Sequence, residues 1–246
     1  MTIFKITCQE VGCRYTIRQG HLFSGHHDAL RDVTFNLTDG ERLGIIGMNG
    51  AGKSTLLRLL AGVLHPTSGR IIREGNPNCS LLSLSNQWYP DLSGRDNAIL
   101  ACLLAGMRRS AAEARVETMR EFSELGRWMD LPVRTYSTGM ALRLALAAAL
   151  QVQPDVLLLD ETLGVGDAVF QQKAAAAIMD TVERARSLVL VSHDINSIIS
   201  LCDRILWLED GRVRADGPTE EIAASYAAWV AADREVRAVF SEMDGA

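Results

Sequence analysis

A chain of 246 residues, 48% apolar and 22% charged, has the length of one large domain or a core with a subdomain and the composition of a globular protein. Its formal net charge of −5 argues against coating nucleic acid, which needs a clustered basic surface, so no nucleic-acid partner is expected. The longest apolar stretches, "AILACLLAGM" and "LRLALAAAL", fall short of the roughly 18–20 residues that span a bilayer.

The N-terminus, "MTIFKITCQEVGCRYTIRQG", lacks the apolar run of a signal peptide. "IFKITCQEVGCRYTI", "ALRDVTFNLTDG" and "ERLGIIG" read as strands. In the second, Val33, Phe35 and Leu37 alternate with polar residues and Asp39-Gly40 signals a hairpin turn. The third is a continuous apolar run, as a fully buried strand requires. A helix is expected from Lys53 to about Gly62. From about Trp88 to Gln151 the periodicity is helical, and Ser110 and Glu113 have capping-box spacing at the start of one helix. Strands then alternate with helices: "DVLLLD", "DAVFQQKAAAAIMDTVERA", "SLVLVS", "INSIISLC" and a hairpin, "RILWLEDGRVRADG". The tail, residues 219–246, reads as an amphipathic helix with Ile222, Tyr226, Trp229 and Val230 on one stripe. The reading is a single α/β domain over residues 1–246, mainly parallel in its sheet with antiparallel N-terminal strands. A helical subdomain is inserted at 88–151. The five cysteines form no C-x-x-C pair and have no histidine cluster beside them, which favours a reducing compartment and small partly buried side chains.

"GMNGAGKST" matches G-x-x-x-x-G-K-[ST] with Gly47, Gly52, Lys53 and Ser54 at the fixed positions, between a buried strand and a helix. Backbone N–H groups of such a loop, here including Asn49, Gly50 and Thr55, wrap phosphates; Lys53 meets the outer phosphates and the Ser54 hydroxyl suits Mg²⁺. "VLLLDE" supplies acids at a strand end: Asp160 to hold Mg²⁺ through water and Glu161 to polarise an attacking water. His193 follows the next apolar strand, facing the crevice where open α/β sheets bind ligands, in place to sense a γ-phosphate. Ser137-Thr138-Gly139 opens an Ala- and Leu-rich helix with no carboxylate in its first residues. That start suits either plain capping or an anion.

Together, in this order and spacing, these stretches resemble the ATP-binding cassette (ABC) ATPases. The resemblance rests on Gly47 to Thr55, Tyr136 to Met140, Leu157 to Glu161 and Ser192 to Asp194, and it covers essentially the whole chain. The family's signature is usually Leu-Ser-Gly-Gly-Gln; here it is Tyr136-Ser137-Thr138-Gly139-Met140. That departure, with "YPDLSGRDN" as a Pro-x-x-x-Gly-Arg-x-Asn stretch, is similar to the ATPases of polysaccharide, O-antigen and teichoic acid exporters. The resemblance implies that Ser137, Thr138 and Gly139 face ATP held by a second copy, in a head-to-tail homodimer. It implies that Asp167 belongs to the D-loop. It sets Gln87 near the Q-loop glutamine, a further Mg²⁺ ligand, against a surface glutamine. It sets Tyr15 as the aromatic that stacks on adenine, against a strand tyrosine with its ring in the core.

The function implied is ATP hydrolysis driving export of a lipid-linked cell-envelope glycan, peripheral on the cytoplasmic face of the inner membrane. Separate integral membrane subunits would be met by the helical insert around Trp88 to Gly106. The alternatives are the ATPase of a drug or lipid exporter and a soluble, non-transport ABC ATPase. Some O-antigen relatives add a C-terminal β-sandwich that binds glycan. This chain, ending at Ala246 after one tail helix, is expected to leave substrate choice to the membrane partner if it is complete.

Overall fold

The computed structural model describes residues 3–19, 23–82, 88–160, 168–192 and 194–243. The chain divides into two compact units: Met1–Asn76 with Val189–Ala246, and Pro77–Leu188.

The first unit opens with β1 (Lys5–Gln19), β2 (Phe23–Thr38) and β3 (Arg42–Ile46), then α1 (Lys53–Leu60) and β4 (Ser68–Glu74). β1 pairs antiparallel with β2 on one side and with β4 on the other. The alternation seen in the sequence is the burial pattern of β2: Val33, Phe35 and Leu37 lie inside, with polar residues between them. The Asp39-Gly40 turn that follows needs Gly40 at φ 85°, but it closes no hairpin: β2 lies beside β1, and β3 belongs to a different sheet. β4 was not anticipated; "SGRIIRE" is short, polar and only half-buried, so its place is set by pairing with β1 rather than by its own pattern. β3 is the apolar run expected, buried from Leu43 to Ile46. In α1, Leu56, Leu57, Leu59 and Leu60 are all fully buried, each worth about 1.5–3 kcal/mol against exposure. The helix stops where Gly62 turns to φ 74° and the Val63 N–H returns to the Arg58 carbonyl at 2.9 Å, because a left-handed residue there satisfies the last carbonyls.

The second unit begins with β5 (Cys79–Leu82), a second strand that the sequence did not announce, followed by α2 (Gly94–Leu104), α3 (Arg109–Ala114), α4 (Val116–Ser123) and α5 (Thr138–Ala149). Two 3₁₀ turns, Gly126–Asp130 and Val133–Thr135, lie between α4 and α5. β6 (Val156–Asp160) runs parallel to β5, and α6 (Ala168–Arg184) follows. The helices enclose an apolar cluster built from Ala98, Cys102, Met119, Met129, Leu144 and Ala147, with Trp88 and Tyr136 packed on its edge. Glu124 ties three elements together, accepting from Arg143 at 2.9 Å and Lys173 at 2.8 Å. Those two cations, Lys173 foremost, hold its carboxyl below the usual range. The expected capping box at Ser110 does not form: α3 starts one residue earlier, and Glu113 instead accepts from Arg109 at 2.8 Å, an i,i+4 pair.

The division between the units falls within β7 (Ser187–Val191). Beyond it the first unit continues with α7 (Ile195–Leu201), β8 (Arg204–Glu209), β9 (Arg212–Pro218) and α8 (Thr219–Met243). Here the strand order is β7-β3-β8-β9, with β3 and β8 parallel and β8 and β9 an antiparallel hairpin. The tail helix docks through the stripe expected of it. Trp207 of β8 is buried edge-on against Tyr226 (5.2 Å) and Trp229 (5.4 Å), with the Arg214 guanidinium 4.3 Å from its ring centre. All five cysteines are free thiols, four of them buried. Among the described residues no helix is long and apolar enough to cross a membrane.

Candidate functional site

The first unit carries the glycine-rich loop between β3 and α1. Gly47 sits at φ 149° directly over β8, where a Cβ would lie 2.2 Å from the Leu208 carbonyl oxygen. Gly52, the residue preceding α1, has φ 98°, and a Cβ there would meet the Ala29 carbonyl oxygen at 2.4 Å. Both glycines are therefore fixed by close backbone approach as well as by conformation. Lys53 is only 7% exposed, and its ammonium turns back into the loop, donating to the carbonyls of Gly47 (2.7 Å) and Met48 (3.0 Å). No side chain caps α1, and its first turn holds no acid, so this helix start offers N–H groups and a partial positive charge to an anion. Asn49 and Gly50 are exposed, Ser54 is half-buried and Thr55 buried. Tyr15 is half-buried rather than in the core, and its hydroxyl lies 3.3 Å from Thr55 Oγ1. One unit thus brings together the loop, the helix start and the N-terminal tyrosine.

Across position 193, Ser192 and Asp194 shape the turn after β7. The Asp194 N–H donates to Ser192 Oγ (3.0 Å), and the Asp194 carboxylate accepts from Ser197 Oγ (2.6 Å) and the Asn196 N–H (3.1 Å). Those bonds, the Ser197 hydroxyl first, hold the carboxyl below its usual range. Gln87, Glu161, Asp167 and His193 lie outside the described residues.

The second unit carries Asp160 and the Ser137–Gly139 turn. Asp160 is the half-buried last residue of β6, after four buried apolar positions. Ser137 caps α5, its Oγ accepting from the Met140 N–H at 3.2 Å, so the capping reading holds. The helix start nevertheless stays open: Ser137 and Thr138 are exposed, the first turn carries no acid, and a Cβ at Gly139 would meet nothing closer than Ser137 Oγ at 3.9 Å. Capping and anion approach are compatible here. Just before it, the Tyr136 hydroxyl donates to the Trp128 carbonyl at 2.6 Å. Burial, and then the nearby Asp130, push that phenol up to about 12, so it remains a donor through the physiological range.

A residue with no role assigned from sequence lies in the first turn of α2. Asn97, 2% exposed, accepts from the Tyr89 N–H (2.9 Å), while its amide reaches the carbonyls of Tyr89 (3.0 Å), Leu92 (3.2 Å) and Ser93 (3.0 Å). It thereby fixes residues 89–93. The Asn of "YPDLSGRDN" was the available signal, but spacing alone does not say what it bonds. Asn97→Ala strands several polar groups in a buried place, at a cost of about 2–4 kcal/mol. Thermal unfolding followed by circular dichroism should fall by roughly 5–10 °C. A fall of under about 2 °C would mean that water replaces the amide at no loss.

The sequence pattern of the family described as "ABC transporter" matches residues 30–164. The O-antigen export system ATP-binding protein RfbB of Klebsiella pneumoniae is 43% identical over 198 residues, which are 80% of this chain and 80% of that one. The teichoic acids export ATP-binding protein TagH of Lactococcus lactis is 39% identical over 202 residues, 82% of this chain but 43% of TagH. A dimeric, post-hydrolysis structure of the ATP-binding cassette MJ0796, bound to ADP and Pi, superposes with a TM-score of 0.65 at 24% identity over 87% of this chain and 98% of that one.

Proposed function

The chain belongs to the ABC transporter family, and from that premise we propose that it is the ATP-hydrolysing subunit of an exporter of lipid-linked cell-envelope polysaccharide. The observation that carries the ATPase reading is the loop itself, in which two glycines with no room for a Cβ and a buried lysine line an uncapped helix start. The export reading is supported by RfbB, alike over four-fifths of both chains, and by the departure of the signature at Tyr136 to Met140, which resembles that of polysaccharide exporter ATPases.

In this reading the N–H groups of residues 47–55 bind the β- and γ-phosphates and Lys53 neutralises their outer oxygens. Glu161 orients a water whose oxygen attacks the γ-phosphorus, while the bond to the β,γ-bridging oxygen breaks and ADP leaves. Glu161 also accepts the proton that the water sheds. His193 and the signature turn of a second copy, Ser137 to Gly139, offer donors to the charge spread over the transferring group. Asp167 belongs to the loop between the two copies. Tyr15 would stack on the adenine. Ser54 and Asp160 are hard oxygen donors at a helix start and a strand end, the ligand type that Mg²⁺ takes, with Gln87 a third. Bound there, Mg²⁺ would supply neutralising charge on the phosphate oxygens. Two copies closing and reopening around two ATP would work on separate membrane subunits at the cytoplasmic face of the inner membrane.

The test is co-purification from membranes of the native host, using the tagged chain with Glu161→Gln to hold the ATP-closed state. A polytopic membrane protein at near-equal stoichiometry is expected, and the same complex purified with the wild-type chain should show ATPase activity that responds to lipid-linked glycan. Response to drugs or simple lipids instead would transfer the chain to another exporter type. Recovery with ribosomes or DNA and no membrane protein would sink the transport reading and leave the ATPase reading standing.

A further inference from the structure

The lead-in to α5 is stitched to the segment before α2. The Gly94 N–H donates to the Leu131 carbonyl (3.2 Å), the Val133 N–H to Leu92 (3.0 Å) and the Arg134 N–H to Pro90 (3.0 Å). Ser93 and Pro132 form an antiparallel bridge, and Arg134 pairs with Asp91 at 2.7 Å. Asn97 braces residues 89–93 on their inner side.

Tyr136, the last residue before the Ser137 cap, lies against Gly94. A Cβ at position 94 would fall 2.0 Å from the Tyr136 hydroxyl oxygen and 3.0 Å from Cζ. Gly94 is the first residue of α2 and its φ is not positive, so no turn geometry demands glycine. Glycine weakens a helix relative to alanine. Its use at this position is accounted for by the ring it admits. That ring cannot simply swing away, because its hydroxyl is bonded to the Trp128 carbonyl and its backbone N–H to the Val133 carbonyl at 2.9 Å.

We propose that Gly94 and Tyr136 are a matched pair of positioning residues that sets the Ser137–Gly139 turn against the 89–94 segment. This rests on the reading of that turn as the one that meets a second copy's ATP. Both act through the turn rather than on the nucleotide itself. The glycine exists to seat the tyrosine, and the seated tyrosine fixes where the cap and the open first turn of α5 stand. The tyrosine of the signature and the glycine of "SGRDN" are then one device. A displacement of the exposed 89–92 surface would reach the signature through it, because the two segments share backbone hydrogen bonds.

The experiment compares the full chain as wild type, Gly94→Ala, Tyr136→Leu and the double variant. It uses ATP turnover, affinity of the protomer for a fluorescent ATP analogue, and hydrogen exchange. Gly94→Ala should lower kcat about tenfold or more with ATP affinity within about twofold, since a small misplacement of a group that acts in the transition state costs rate rather than binding. Exchange should rise in residues 134–142 and stay unchanged in 47–60. In the double variant, alanine at 94 should add nothing to Tyr136→Leu, because the smaller side chain leaves room for the Cβ. Equal damage from Gly94→Ala in both backgrounds, or unchanged exchange at 134–142, overturns the pairing. A wild-type chain without ATP turnover would sink the ATPase reading instead. The same non-additivity, read in the exchange data, would still decide the pair.

Discussion

Lys53→Met is expected to reduce ATP turnover by a factor of about a thousand, the scale on which losing one preorganised charge at a developing anion acts. Methionine keeps the length and apolar stem of the lysine in a place that is 7% exposed, so packing survives while the charge and the ammonium's donors are lost. Lys53 does two things in the structure. It brings a cation to the phosphates, and it braces the loop by donating to the carbonyls of Gly47 and Met48. Losing the brace strands those carbonyls, at about 1–3 kcal/mol, so a modest fall in thermal stability should accompany the catalytic loss. Phosphate release and ATP titration calorimetry on the same preparation separate the two effects. Turnover within about tenfold of wild type would show that the buried ammonium is a structural brace only, and would remove the central support of the ATPase reading.

Gly47→Ala should be more damaging than a one-carbon change suggests. The Cβ would stand 2.2 Å from the Leu208 carbonyl oxygen, a backbone atom of a β8 residue paired with Val213 of β9, so no side-chain rotation relieves the clash. At φ 149° the residue is also in a conformation that alanine adopts only at a cost. Either β3 and β8 part at their ends or the loop lifts away from α1. Both outcomes cost about 2–4 kcal/mol, and both displace the N–H groups from a phosphate. The expected result is loss of ATP binding by at least a hundredfold, together with a lower urea midpoint. Gly50→Ala is the control: it too has a positive φ, but nothing lies within 4 Å of its Cβ. Conformational strain alone therefore acts there, and a smaller effect is expected. Equal effects at the two positions would mean that strain, and not the approach of β8, makes Gly47 obligatory.

Much of this fold is legible in the chain because the signals are local. β3 and β6 are apolar runs of the length of buried strands, β2 alternates, and the tail helix presents its stripe at Ile222, Tyr226 and Trp229. The glycine loop, the acid at the end of β6 and the serine opening α5 announce themselves in the same way, through residue type at fixed spacing. The misses are equally instructive. β4 and β5 are short and lack a decisive pattern of their own; they are strands because β1 and β6 offer partners. Ser110 and Glu113 had the spacing of a cap, but one turn of helix also puts Arg109 within reach of Glu113, and the ion pair prevailed.

What the sequence by itself determined is the list of parts: an α/β chain, a phosphate loop before a helix, a carboxylate at a strand end, and a polar, acid-free helix start. Tertiary structure alone decided why particular residues are irreplaceable. Gly47 is hindered by Leu208, Gly94 makes room for Tyr136, Asn97 fixes the residues from Tyr89 to Ser93, and Tyr15 reaches Thr55. Periodicity and turn preference act over a few neighbouring residues and can be read along a chain. Most of these close approaches join segments far apart in sequence, and only the folded molecule brings them together.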